Sequence, residues 1–194
     1  MQGLRDEEVM MEYQKGNLAA MGELVQRYKN PVFSFAYRFL GDREEAREIA
    51  QEVFLRLHIH KTSYRPTGKF STWIFSIAHN LCVSVVRRRR RFVLWPRKSK
   101  DDDGYVDVAD SNPSPDTRAE ENDVQQTIKR CINELPFLQK EALVLREYQS
   151  MSYEDIAVTM KQPVNTVKSL IHRARINLKE KLLPLVHEAG RGQS

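Results

Sequence analysis

An acidic stretch near the middle of the chain divides it before any motif is read. Residues 96–123 carry 4 Lys/Arg against 9 Asp/Glu, and the run from Asp101-Asp-Asp-Gly-Tyr to Asn112-Pro-Ser-Pro-Asp116 consists of acids and turn formers with few large apolar side chains. Such a segment buries too little apolar surface to offset the entropy of ordering it, so no continuous core passes through it. The flanking blocks are basic, with 16 Lys/Arg against 10 Asp/Glu over residues 1–95 and 11 against 7 over residues 124–194. The expectation is two modules, 1–95 and 121–194, joined by a flexible acidic linker over 96–120. Two basic modules point towards a polyanionic partner.

Within both blocks the apolar period is helical. Asp6 is placed to cap a short helix reaching about Lys15. Asn17 is placed to cap a longer one, whose Met21, Leu24, Val25, Tyr28, Val32, Phe35, Ala36 and Phe39 share a face. Gly41 suits its C-terminal stop. Asp42-x-x-Glu45 suits a capping box for the next helix, with Ala46, Ile49, Ala50, Val53, Phe54 and Leu57 as its stripe. After a loop with Pro66 and Gly68, a helix from Phe70 to about Arg91 carries Phe70, Trp73, Ile74, Ile77, Ala78, Leu81 and Val85 at the same spacing.

The second block reads similarly. Val124, Ile128, Cys131, Ile132 and Leu135 define one helix, and Pro136 starts another that buries Leu138, Ala142, Leu143 and Leu145. Ser152-Tyr-Glu-Asp155 is a capping box before Ile156-Ala157-x-x-Met160. The short turn Lys161-Gln-Pro163 then leads into a last helix with Val164, Val167, Ile171, Ala174 and Leu178 facing inward. Two helices joined by so short a turn form a helix-turn-helix. No strand pattern competes, so the fold class is all-α: a three-to-four-helix bundle and a helix-turn-helix domain.

The outward face of the last helix carries Asn165, Thr166, Lys168, Ser169, His172, Arg173 and Arg175. Short hydrogen-bonding side chains near the start of such a helix reach base edges, and the cations neutralise phosphates. In the first block, Arg87 to Arg91 are five consecutive arginines. A helix C-terminus favours cations through its dipole, but five exceed what a helix end needs and suit a phosphate backbone. Upstream, Tyr64, Arg65, Lys69, Phe70 and Trp73 interleave rings with cations, a mixture that holds unstacked bases. Phe70 and Trp73 also lie on the apolar stripe, where a core role is the alternative.

Several function classes fit poorly. Two cysteines, Cys82 and Cys131, make no disulfide framework, and the charged N-terminal residues do not read as a signal peptide. Thr67-Gly68-Lys69 is not a phosphate loop, because Ser63 stands where its first glycine belongs and Phe70 where Ser/Thr belongs. His58 and His60 cannot share a helical face, and His79 with Cys82 lacks two further ligands, so no metal or other cofactor is expected. No catalytic constellation emerges, and no enzyme activity is expected of this chain alone.

The modules together resemble a bacterial sigma factor of the extracytoplasmic-function group of the sigma-70 family. The first carries Glu45-Ala-Arg-Glu-Ile-Ala-Gln51-Glu52-Val-Phe54, then Phe70-Ser-Thr-Trp73-Ile and Ile77-Ala-His-Asn80-Leu. The second carries Leu135-Pro136, Met151-Ser-Tyr-Glu-Asp-Ile156-Ala, Asn165-Thr-Val-Lys-Ser169 and His172-Arg-Ala-Arg175. The resemblance covers about residues 5–92 and 120–183 in the family's order. It implies that Glu48, Gln51, Glu52 and Arg56 dock on the β′ clamp of core RNA polymerase, with the β flap a further contact. It implies that Tyr64, Arg65, Lys69, Trp73, Asn80, Ser84, Arg87 and Arg88 hold the separated −10 strand. Asn165, Thr166, Lys168, Ser169, Leu170, Arg173 and Arg175 would read −35 duplex DNA. Two positions depart from the family's usual pattern, Ser84 for an acid and Leu170 for an arginine; a leucine there contacts a thymine methyl or packs inward.

The resemblance also implies control by an anti-sigma factor, which would hold a cytoplasmic protein with no membrane insertion of its own near the membrane. A conventional helix-turn-helix regulator is the competing reading. It predicts binding to a palindromic operator without polymerase, and leaves the basic end of the first block unexplained.

Overall fold

The computed structural model describes residues 3–93 and 123–191, with side chains over 3–89 and 126–183. The expected linker and both module boundaries lie outside the described residues. Among the described residues, eight α-helices and one 3-10 turn account for the regular structure, and no strand occurs. Helices α1 (Asp6–Gln14), α2 (Leu18–Leu40), α3 (Arg43–His60) and α4 (Phe70–Val93) precede the undescribed segment. Helices α5 (Asp123–Asn133), α6 (Phe137–Glu147), α7 (Tyr153–Met160) and α8 (Val164–Arg191) follow it.

Local signals fix the helix ends. Asn17 caps α2 by accepting from the Ala19 N–H at 3.1 Å. Gly41 ends α2 at φ 76°, its N–H on the Tyr37 carbonyl at 2.9 Å. A Cβ there would meet open space, so the glycine serves conformation alone. Gly41→Ala should therefore cost about 1 kcal/mol in chemical denaturation, the strain of a left-handed non-glycine residue; no loss would mean the helix end relaxes.

Asp6 departs from expectation. Arg5 occupies the N-cap of α1, and the Asp6 carboxylate turns to α2, accepting from Arg27 at 2.7 Å and the Tyr28 hydroxyl at 2.5 Å. The expected capping boxes are half-formed in a common way. Asp42 accepts the Glu45 N–H at 2.8 Å and Ser152 the Asp155 N–H at 3.0 Å. Each third-residue carboxylate is drawn off to a distant cation, Glu45 to Arg89 at 2.5 Å and Asp155 to Lys69 at 2.7 Å. A full charge offers an acidic side chain a stronger partner than a neutral backbone N–H.

The core of the first bundle is aromatic. Phe35, fully buried, lies 5.7 Å from Phe39 and edge-on to Phe75 at 5.6 Å, joining α2 to α4. In the second module, Val167, Ile171 and Ala174 of α8 are buried along one seam.

The two modules pack on one another, α2 against α5 and α6 and α4 against α7. Phe39 meets Phe137 edge-on at 4.5 Å, and the Arg38 guanidinium lies 3.9 Å over the Tyr148 ring. One polar contact is enclosed: Nδ1 of His79 on α4 pairs with Oε1 of Glu141 on α6, both buried. Burial pushes the Glu141 carboxyl up, and the His79 hydrogen bond pulls it back only in part. A carboxyl raised on folding stabilises most when protonated, and that stability is lost as pH rises through the raised value. Glu141→Gln should therefore gain melting temperature over the unaltered chain, with a gain larger at about pH 8 than at about pH 5. A gain independent of pH would remove the ionisation of Glu141 as its cause.

Candidate nucleic-acid interface

The outer face of α3 lies opposite its buried Ala46, Ile49, Val53 and Leu57. Glu48, Gln51 and Arg56 are exposed, Glu52 is half-buried, and Arg56 donates to Glu52 at 2.8 Å. The same face presents Leu55 and Ile59, 53% and 60% exposed, two apolar side chains one turn apart. Sequence reasoning passed them over, although both lie off the inward stripe, which was the signal available. Bare leucine and isoleucine within a charged frame make a surface suited to a protein partner.

A loop with a 3-10 turn at Lys61–Ser63 links α3 to α4. α4 has no capping side chain of its own immediately before it; Glu7 of α1 accepts the Phe70 N–H at 2.8 Å and closes its first turn. Tyr64 corrects an expectation. Its ring is buried against Phe70 at 5.8 Å and Trp73 at 5.1 Å, and burial pushes its hydroxyl up to about 12. It therefore supports the loop from beneath and is withdrawn from any strand lying over it. Trp73 is half-buried, while Arg65 and Lys69 stand exposed. Arg65 donates to the Thr62 carbonyl at 2.7 Å, which holds the loop's shape.

Along α4, Asn80, Ser84, Arg87 and Arg88 are exposed on successive turns. Asn80 donates to the Ser76 carbonyl at 2.7 Å, and Ser84 to the Asn80 carbonyl at 2.7 Å. Arg89, from the same basic run, instead pairs with Glu45 and donates to the Leu40 carbonyl at 3.2 Å. One arginine of the run thus ties α4 to the start of α3, while Arg87 and Arg88 face solvent. The side chains of Arg90 and Arg91 lie outside the described residues.

On α8, Asn165, Lys168, Ser169, His172 and Arg173 are exposed and Thr166 half-buried. Leu170 packs against the apolar core, so of the two roles left open for it the inward one is seen. Arg175 pairs with Glu147 at 2.6 Å, whereas Arg173 has no ion pair among the described residues. The turn before α8 is held by Lys161 in a left-handed conformation, φ 54°, which lets Gln162 donate to the Ala157 carbonyl at 3.0 Å.

The second module meets the loop side of α4 directly. Asp155 accepts from Lys69 at 2.7 Å, from the Thr72 hydroxyl at 2.9 Å and from Ser152 at 2.7 Å. Burial raises its carboxyl, and these three donors outweigh burial and hold it below the usual range. Lys161 donates to the Asn80 side-chain carbonyl at 3.3 Å. Among the described residues, no helix is long and apolar enough to cross a membrane.

The family description Sigma-70 region 2 matches residues 24–92, and Sigma-70, region 4 matches residues 125–178. The chain is 31% identical to the RNA polymerase sigma-H factor of Pseudomonas aeruginosa, over 95% of this chain and 97% of that one. It is 30% identical to the ECF RNA polymerase sigma factor SigW of Bacillus subtilis, over 90% and 95%. Its fold is similar to that of the sigma factor RpoE in a co-crystal with the anti-sigma factor NepR from Bartonella quintana, with TM-score 0.66 and 24% identity over 83% of this chain and 95% of that one. It is similar also to CnrH in complex with the cytosolic domain of CnrY, with TM-score 0.68 and 21% identity over 91% and 96%.

Proposed function

Because the chain belongs to the extracytoplasmic-function sigma factors of the sigma-70 family, we propose that it supplies core RNA polymerase with promoter recognition and helps open the DNA there. The observation that carries this reading is the exposed face of α8. Asn165, Lys168, Ser169 and Arg173 stand out on it while Val167, Ile171 and Ala174 seal the opposite side. An N-terminal turn so equipped enters a major groove with side chains that fit base edges and phosphates.

The remaining roles rest on the family resemblance, and the chemistry of the exposed side chains supports them. Arg65, Lys69, Trp73, Asn80, Ser84, Arg87 and Arg88 form a cationic, partly aromatic surface for the −10 strand, with Tyr64 bracing it from within. On α3, Glu48, Gln51, Glu52 and Arg56, joined by Leu55 and Ile59, dock on the polymerase clamp. Each DNA contact is weak alone; polymerase holds both modules at one spacing, which turns the second contact into an intramolecular one. The chain takes no part in bond-making itself and works in the cytoplasm, under an anti-sigma factor able to hold it at the membrane.

Co-purification with bacterial core polymerase, followed by run-off transcription on fragmented genomic DNA, tests the reading. Promoter-specific transcripts are expected, and they yield the −35 and −10 sequences. Tight binding to a palindromic duplex without polymerase would replace this reading with a conventional regulator. On the promoter so found, Arg173→Ala should cost about 1–3 kcal/mol in duplex binding if it reads a base edge, and should relax specificity at one position. Arg87→Ala should weaken single-strand binding at all sequences alike.

A further inference from the structure

Side chains of α1 hold both ends of the loop that joins α3 to α4. At its entry, the Gln14 side-chain amide donates to the Lys61 carbonyl at 2.6 Å and to the Tyr64 carbonyl at 3.0 Å. At its exit, Glu7 accepts the Phe70 N–H at 2.8 Å. Tyr13 adds two contacts beside them: its hydroxyl pairs with Nδ1 of His58, and the Lys61 ammonium lies 4.8 Å over its ring. The helix that reaches out in this way is itself fixed. Val9, Met10 and Tyr13 are buried, and Asp6 is tied to Arg27 and Tyr28 of α2.

The Gln14 contact leads directly to a residue of the strand surface. A side-chain amide nitrogen carries two hydrogens, and both are given to loop carbonyls. The Tyr64 carbonyl also accepts from the Arg65 guanidinium at 3.1 Å, so its two lone pairs serve Gln14 and Arg65 together. The same guanidinium nitrogen donates to the Thr62 carbonyl at 2.7 Å. Outside a helix or sheet no ladder of backbone bonds orients a carbonyl. A side chain from a rigid helix, 50 residues away in sequence, orients this one.

We propose that Gln14 is a positioning residue for strand capture, which by holding the Tyr64 carbonyl sets the backbone from which Arg65 reaches the −10 strand. The proposal rests on the −10 reading given above. A loop fixed in advance leaves less chain to order when the strand arrives. Gln14 itself touches no nucleotide in this scheme, and its effect passes through Arg65.

The test uses Gln14→Met in the full chain, which removes both donors and keeps the length, neutral charge and helix propensity of the side chain. The probe is a fluorescein-labelled, sequence-randomised single-stranded DNA of roughly 20 nucleotides, followed by fluorescence anisotropy. Gln14→Met should weaken binding about fivefold, the net worth of one hydrogen bond, while far-UV circular dichroism stays unchanged. A double-mutant cycle decides the route of the effect. In an Arg65→Ala background Gln14→Met should add nothing, whereas in an Arg87→Ala background it should keep its full effect. An equal effect in both backgrounds, or none in either, would overturn the proposal and leave the −10 reading standing. No measurable binding by the unaltered chain, or binding indifferent to Arg65→Ala, would overturn the −10 reading of the loop and the proposal with it.

Hydrogen–deuterium exchange supplies a local readout. Residues 61–69 should exchange faster in Gln14→Met, with α2 and α3 unchanged. Unchanged exchange in the loop would overturn the proposal, and so would faster exchange throughout the first bundle, which would make Gln14 a general support of the fold.

Discussion

Phe35→Ala should lower the unfolding free energy of the first bundle by about 3–5 kcal/mol. The ring is fully buried between Phe39 of α2 and Phe75 of α4, and Phe39 in turn meets Phe137 of the second module. Truncation forfeits the transfer free energy of the ring and leaves a cavity that two long helices cannot close by a small shift. At about 4–8 °C per kcal/mol for a domain of this size, melting should fall by more than 10 °C or so. Far-UV circular dichroism across a denaturant series measures it. A loss under about 1 kcal/mol would mean that the aromatic cluster repacks and that the bundle's centre lies elsewhere.

Leu55→Asp should have the opposite profile, a functional loss without a stability loss. Leu55 is half-exposed on the outer face of α3 and contributes nothing to the buried stripe of Ile49, Val53 and Leu57. A carboxylate in place of a central apolar contact should weaken core-polymerase binding at least tenfold, about 1.4 kcal/mol or more, while circular dichroism and melting stay unchanged. Gln51→Lys with Glu52→Lys tests the charged frame of the same face. If polymerase affinity survives all of these substitutions, α3 is not the docking helix and the clamp contact must be sought on another helix.

The helices were legible because their signals are local. Periodic apolar residues, the Asn17 and Asp42 caps, and Gly41 each act within one turn of the chain, and the structure uses each of them as expected. Asp6 was misread because its carboxylate has two routes to satisfaction, its own helix or Arg27 and Tyr28 on the next, and only packing decides between them. Tyr64 was misread for a related reason: a ring beside cations looks the same in sequence whether it covers the loop or lies beneath it. Trp73 and Phe70, drawn close around it, supply the apolar surroundings that settle the matter. Leu55 and Ile59 carried a visible signal, apolar residues off the inward stripe, that periodicity alone treats as noise.

The candidate surfaces divide along the same line. The α8 face was readable because a single helix presents all of it, and a 3.6-residue period is enough to separate Arg173 from Ile171. The pairing of Asp155 with Lys69, 86 residues away, and of Glu141 with His79, 62 away, left no trace in sequence. Those contacts depend on how two finished modules meet. By itself the sequence determined eight helices, their buried faces, the basic surfaces and the family to which they belong, because each of these is written in residues within a few turns of one another. Which of those surfaces is covered by the other module was decided only by the tertiary structure, since complementary shape and charge across a long separation exist only once the helices are packed.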